Sequence, residues 1–321
     1  LNIPQLTEKI ANETEKIILG KRDRIELIMM ALLAEGHVLL DDMPGVGKTT
    51  LIKTLAIVSG CDTRRIQFVP DLLPSDITGM NIFNQKTGAF QMMRGPVFTN
   101  LLLADEVNRA VPRTQSALLE AMEERQVTID GETMNLPVPF MVLSTQNPVE
   151  SESTFRLPVA QMDRFLIKLT MGFPTRTEEK QMLFNLGDKM PFDSLSVVTS
   201  PEELAECQRA IAGVSVSDAV ADYIVKLVSA TRTNKLVKMG ASPRASRSLY
   251  KAAKAWAAMQ GREFVTPDDV QYLAHPVLDH RILLTNEARL SGKNTETVVE
   301  HVLKTTAVPP ASGEVFDEKK D

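Results

Sequence analysis

The sequence predicts an α/β domain with a parallel five-stranded sheet, followed by an all-α domain. Five short apolar runs recur through the first half with helical patterning between them. After Gly172-Phe173-Pro174-Thr175 the pattern turns helical and stays so. Runs of this length with few polar residues suit strands buried on both faces, as in a parallel sheet with helical crossovers.

The first run, His37-Val38-Leu39-Leu40-Asp41, lies between Gly36 and a Pro44-Gly45 turn. An amphipathic helix carrying Leu51, Leu55 and Val58 on one face follows it. The second run, Ile66-Gln67-Phe68-Val69, stops at Pro70, and the third, Leu101-Leu102-Leu103-Ala104, stops at Asp105. Phe140-Met141-Val142-Leu143-Ser144 and Phe165-Leu166-Ile167-Lys168-Leu169 complete the set. Two segments break the alternation. Gln126–Ile129 and Glu132–Leu136 flank Asp130-Gly131, a two-residue hairpin turn. Met80 to Met92 reads as a second hairpin with a longer loop.

Beyond the linker, Thr175 with Glu178 forms a capping box. Leu249, Ala252, Ala253, Trp256 and Met259 share one helical face, and Gly261 stops that helix. Thr266-Pro267-Asp268-Asp269 supplies an N-cap, a Pro at the first helical position and acids in the first turn. The expected domains are 1–172 and 173–306. Residues 307–321, polar and Pro-bearing, are expected to be a disordered tail.

Composition narrows the function. Apolar residues make up 43% of the 321, enough for a real core. A net charge of −5 argues against nucleic-acid binding through bulk charge. The pairs Lys21-Arg22 and Arg64-Arg65 read as solvated surface. Cys61 and Cys207 have no Cys or His nearby at metal-ligand spacing, so two reduced thiols in a cytoplasmic protein are expected. No stretch of about 18 apolar residues suggests a membrane span. Leu1-Asn2-Ile3-Pro4 has neither an initiator Met nor the look of a secretory signal, so further residues upstream are expected.

The chemistry concentrates at the ends of the runs. Asp42-Met43-Pro44-Gly45-Val46-Gly47-Lys48-Thr49-Thr50 lies between a strand and a helix. Its glycines let successive N–H groups turn toward phosphate oxygens, and the helix N-terminus adds its positive end. Lys48 suits the β- and γ-phosphates of ATP, and the Thr49 hydroxyl suits Mg²⁺. The full pattern has Gly where Asp42 stands. Asp105 and Glu106 end an apolar strand about 55 residues later. Alone, such a pair reads as a solvated turn. After a phosphate loop, Asp105 suits the Mg²⁺ shell and Glu106 the attacking water. Asn147, ending the fourth run, suits the γ-phosphate or the water, though Asn-Pro is also a common loop opener. Arg164 and Arg244 could each bring a guanidinium to the transferring phosphate; spacing does not distinguish them from surface arginines in salt bridges.

Together these strings resemble the AAA+ ATPases, and among them the MoxR family, over roughly residues 3–305. The most specific strings are 42–49, Gly95-Pro96-Val97-Phe98, Leu103-Ala104-Asp105-Glu106-Val107-Asn108-Arg109-Ala110, 114–124, Thr145-Gln146-Asn147-Pro148 and Gly240-Ala241-Ser242-Pro243-Arg244-Ala245. The resemblance implies an α/β P-loop (AAA+) domain and an all-α lid. It makes Lys48 and Thr49 the Walker A pair, Asp105 and Glu106 the Walker B pair, Asn147 sensor 1 and Arg244 sensor 2. Arg164 matches the arginine finger offered to a neighbouring subunit. Pro44, Gly45, Val46, Gly47 and Thr50 complete the loop, and Ile18-Leu19-Gly20 would line the adenine pocket. An acid at the position of Asp42 is common in such proteins. Where the family usually has Gly-Thr-Tyr-Pro-Leu-Pro, this chain has Ser153-Thr154-Phe155-Arg156-Leu157-Pro158. Arg156 thus either competes with Arg164 for the role across the subunit boundary or faces solvent.

The resemblance further implies a homo-oligomeric ring, typically a hexamer. The 80–92 and 126–136 hairpins would face its pore. The implied role is a chaperone-like motor acting on a client protein, with a von Willebrand factor A domain protein as partner. A nucleotide-gated scaffold with little turnover and a chelatase-type motor subunit are the alternatives; a DNA-acting ring is disfavoured by the charge.

Overall fold

The five apolar runs assemble into one parallel sheet in the computed structural model, which describes residues 1–42, 45–146, 155–185 and 191–310. Two helices that were not read from the sequence come first, α1 (Ile3–Glu15) and α2 (Arg22–Leu33). Then follow β1 (Val38–Asp41), α3 (Lys48–Ser59), β2 (Thr63–Gln67) and α4 (Pro74–Thr78). A hairpin of β3 (Gly79–Asn84) and β4 (Ala89–Arg94) precedes β5 (Leu101–Asp105) and α5 (Pro112–Glu124). A second hairpin, β6 (Gln126–Ile129) and β7 (Glu132–Asn135), leads to β8 (Met141–Gln146), α6 (Val159–Met162) and β9 (Ile167–Leu169). α7 (Arg176–Asn185) and α8 (Pro201–Ile211) come next.

The sheet order is β2-β5-β8-β1-β9, every pairing parallel. Its middle strands are apolar and buried on both faces, as Leu39, Leu102 and Val142 show. Register sets Asp41 opposite Gln146 and Gln67 opposite Asp105. Four polar strand ends therefore line up along one edge of the sheet, where α/β folds place ligands. The second strand begins three residues earlier than its apolar run. Thr63, Arg64 and Arg65 are exposed on this edge strand, so half of it carries no hydrophobic signal.

His37 pins the opposite end of the sheet. Its Nδ1 accepts from the Val142 N–H at 3.0 Å, which leaves Nε2 to donate to the Met122 carbonyl, also at 3.0 Å. Burial, with the Arg125 guanidinium nearby, pushes its pKa down to about 3.

The hairpins are built as expected. Asp130 and Gly131 both take positive φ (50° and 86°), the backbone of a type I′ turn. At the base of the β3–β4 hairpin, a Cβ on Gly95 would lie 2.2 Å from the Ile77 carbonyl. Only glycine lets those backbones pass so closely.

The chain divides into two compact units, Leu1–Ala210 and Ile211–Asp321, rather than at the expected 172/173 boundary. Residues 191–210 belong to the first unit through specific bonds. Ser196 N–H donates to Glu13 Oε1 at 2.7 Å, Val198 N–H to the Val58 carbonyl at 2.9 Å, and Gln208 Nε2 to the Leu32 carbonyl at 2.7 Å. The Thr175–Glu178 capping box forms at the start of α7.

The second unit contains α9 (Asp218–Thr233), β10 (Val237–Met239), α10 (Pro243–Met259), α11 (Pro267–Leu278), β11 (Leu283–Leu284), α12 (Asn286–Leu290) and α13 (Thr295–Thr305). It is helical, with one short antiparallel ribbon of β10 and β11. Leu249, Ala252, Ala253 and Met259 are buried along α10, and Trp256 stacks on Tyr272 at 4.6 Å between ring centroids. The N-cap expected at Thr266 forms, and Asp269 closes it into a capping box.

Candidate functional site

The phosphate loop leaves β1 and enters α3 through two glycines with left-handed backbone. Gly45 has φ +87° and Gly47, the N-cap of α3, has φ +83°. An L side chain rarely adopts either value, so glycine is required by conformation. The first turn of α3 has N–H groups with no intrahelical acceptor, and they sit at the positive end of the helix. They border a cavity of about 410 Å³ lined by Gly45, Gly47, Lys48, Thr49, Thr50, Arg65, Gln67, Asp105 and Glu106. The residues expected from the loop and from the third strand therefore meet in one place.

The acidic wall is braced by side chains from neighbouring strands. Thr145 on β8 donates its hydroxyl to Asp105 Oδ1 at 2.6 Å and accepts the Glu106 N–H at 2.8 Å. Arg65 on β2 pairs with Asp105 Oδ2 at 2.7 Å. Glu106 takes a left-handed backbone, φ +57°, uncommon for a residue with a side chain. Its carboxylate accepts from Gln67 Nε2 at 2.6 Å and from Arg109 Nη1 at 2.9 Å.

Gln67, Arg109 and Thr145 were not read as site residues, and Arg65 was read as solvated surface. Arg65 is exposed, as that reading expects, and it also pairs with Asp105. The register of β2 against β5 could have found Arg65 and Gln67, because it sets Gln67 beside Asp105. Lys21 and Arg22 are also more than solvated surface. Lys21 Nζ donates to the Phe173 carbonyl at 3.1 Å, and Arg22 pairs with Glu8, Glu15 and Glu26.

A second cavity, about 270 Å³, shares Gly45, Gly47 and Thr50 with the first. Its walls are mostly apolar: Ile17, Ile18, Leu19, Val46, Met171 and Met182 among them. A polar chamber joined to an apolar one suits a polyphosphate joined to a flat heterocycle. Ile18 and Leu19 line this cavity, and Gly20 is not among its lining residues. The φ of Gly20 is +67°, a left-handed backbone that favours glycine.

The remaining expectations divide. Pro44 and Asn147 lie outside the described residues. Arg164 is not among the cavity-lining residues; its guanidinium donates to the Leu119 carbonyl at 3.1 Å. Arg156 is exposed. Arg244 opens α10 in the second unit, its backbone N–H donating to Ser242 Oγ at 3.1 Å.

Comparison with known proteins decides the family. The ATPase family associated with various cellular activities (AAA) matches residues 37–167, and the AAA lid domain matches residues 229–302. The uncharacterized protein YeaC of Bacillus subtilis is 48% identical over 95% of each chain. Chaperone MoxR1 of Mycobacterium tuberculosis is 42% identical, over 94% of this chain and 82% of its own. The chain belongs to the MoxR family of AAA+ ATPases. As such it is an ATP-hydrolysing P-loop enzyme, and the two units carry the AAA core and its helical lid. A crystal structure of a candidate ATPase from Cytophaga hutchinsonii superimposes with a TM-score of 0.90 at 38% identity, covering 96% of both chains. No helix among the described residues is long and apolar enough to cross a membrane.

The donor set fits Mg²⁺ accompanying a nucleotide. Thr49 and Asp105 offer oxygen ligands to the polar cavity. Among the described residues no three His, Cys, Asp or Glu side chains converge as a cage. Mg²⁺ is commonly held through one or two protein oxygens, phosphates and water.

Proposed function

We propose that this MoxR-family enzyme is a Mg²⁺-dependent, ring-forming motor that uses ATP hydrolysis to remodel or activate a client protein. One observation carries the chemical part: Lys48, Thr49, Asp105 and Glu106 line the same polar cavity. The loop N–H groups and the Lys48 ammonium hold the β- and γ-phosphates. Thr49 and Asp105 would hold Mg²⁺, which supplies neutralising charge to the phosphate oxygens when bound. Glu106 orients and polarises the attacking water, and Gln67 and Arg109 set the direction of its carboxylate. Phosphoryl transfer needs mainly such positioning and charge stabilisation. Their motifs imply sensor roles toward the nucleotide for Asn147 and Arg244.

The motor reading has two further supports. A relative 42% identical is named a chaperone. The β3–β4 hairpin exposes Ile82, Phe83, Phe90 and Met93, a surface suited to transient contact with apolar segments of a client. In the proposed ring, typically a hexamer, Arg164 reaches the γ-phosphate of the neighbouring copy. A von Willebrand factor A domain protein is the proposed partner.

Mixing two inactive variants tests the ring. Arg164→Ala and Glu106→Gln should each lose most turnover. In mixed rings some boundaries join an intact Glu106 to an intact Arg164, so phosphate release should partly return. No recovery at any mixing ratio removes Arg164 from the role across the boundary.

A further inference from the structure

Asp42 stands where the general phosphate-loop pattern has glycine, and it is only 4% exposed. The parallel ladder between β1 and β9 ends at Leu40 and Leu169. Asp42 continues the connection with its side chain. Oδ2 accepts from the Met171 N–H at 2.7 Å, and Oδ1 accepts from the Gly172 N–H at 3.0 Å. Gly172, at φ +64°, makes the bend at the end of this two-residue seat. Successive N–H groups turned toward one carboxylate form a concave anion seat. Glycine at position 42 would leave both N–H groups without these acceptors.

The two ends of Asp42 touch different halves of the site. Met171, Gly172 and Pro174 are walls of the apolar cavity. The Asp42 backbone carbonyl accepts from Lys48 Nζ at 3.2 Å, and Lys48 is a wall of the polar cavity. Any substitution keeps the backbone carbonyl, and with it the contact to Lys48. Only the side-chain half, which holds the apolar wall, depends on a carboxylate.

We infer that Asp42 is a positioning residue that fixes the base-binding wall to the phosphate loop, so that affinity for the nucleoside part of ATP depends on its carboxylate. The inference rests on the nucleotide reading above. It explains why a loop can dispense with glycine at its first position. The acid supplies a clamp between the strand that carries the phosphate loop and the segment that carries the base wall.

Calorimetric titration of wild-type and Asp42→Asn chains with ATP and with inorganic tripolyphosphate tests it. Asn keeps the size but replaces one acceptor oxygen with an NH₂ that opposes an N–H. ATP affinity should fall about tenfold or more, as expected for losing a hydrogen bond to a charged group. Tripolyphosphate affinity should stay within about twofold of wild type, since the loop amides and Lys48 remain. A purely structural role would weaken both ligands together, and that result overturns the inference, as does unchanged ATP affinity. Asp42→Gly, which restores the general pattern while removing the clamp, should behave like Asp42→Asn and serves if the latter does not fold. A wild-type chain that binds tripolyphosphate but not ATP contradicts the nucleotide reading itself, an outcome separate from a loss shared by both ligands in the variants.

Discussion

At the scale of single residues, chemistry follows from who holds each side chain. Lys48, Thr49, Asp105 and Glu106 were legible because their motif spacing relative to the strand ends is itself informative. Thr145, Gln67, Arg65 and Arg109 were not. Three of them reach the acids across strand pairs, where only register places them, and Arg109 reaches Glu106 from a short turn. The same rule governs His37, which neighbours in space hold neutral. With a folded pKa of about 3, it stays unprotonated while the unfolded chain takes up a proton near its ordinary value. The unfolded state therefore binds more protons in this window. Stability contributed by neutral His37 is complete above about pH 6.5 and is lost as pH falls toward the folded value. One proton corresponds to a slope of about 1.4 kcal/mol per pH unit. His37→Gln should unfold more easily at pH 7 but lose less further stability between about pH 6 and pH 4. Urea unfolding across that range measures it; parallel slopes for the two proteins would remove His37 as the cause.

At the scale of elements, the strands with two buried faces were easy to read, because nearly every residue in them is apolar. The edge strand β2 was half hidden, since Thr63 to Arg65 face solvent. α1 and α2 went unread, and the division between units fell near residue 210, because side chains such as Glu13 and Gln208 bond at long sequence separation. The caps at Thr175 and Thr266, being local, were legible. The one at α11 allows a direct test. Asp269 accepts the Thr266 N–H at 2.8 Å and takes both guanidinium nitrogens of Arg262, at 2.5 and 2.7 Å. The Asp269 side chain is 4% exposed and that of Arg262 27%. Asp269→Ala leaves a partly buried cation and removes the acceptor of the Thr266 N–H, while the Thr266 hydroxyl still caps the helix. A loss of about 2–3 kcal/mol is expected, below the figure for a fully buried pair because water reaches Arg262. Denaturant unfolding should record it, and a change under about 0.5 kcal/mol would mean the pair acts as surface charge.

At the scale of the whole molecule, the chain is an AAA core with a helical lid, and its first unit alone brings the phosphate loop, the acidic pair and the apolar wall together. The proposal adds what one chain does not supply. The Arg164 guanidinium bonds to the Leu119 carbonyl of its own chain, and a neighbour's site is its proposed target. The exposed apolar hairpin is the proposed surface for a client. All of this depends on turnover at the cavity between Lys48 and Glu106. Phosphate release from ATP, measured for wild type, Lys48→Ala and Glu106→Gln beside nucleotide binding, tests it most directly. Wild type should turn over ATP, Lys48→Ala should neither bind nor hydrolyse it, and Glu106→Gln should bind it while turnover falls by about 10²-fold or more. Wild-type turnover in Glu106→Gln, or unchanged nucleotide affinity in Lys48→Ala, would contradict the assignment of this cavity as the place where ATP is held and cleaved.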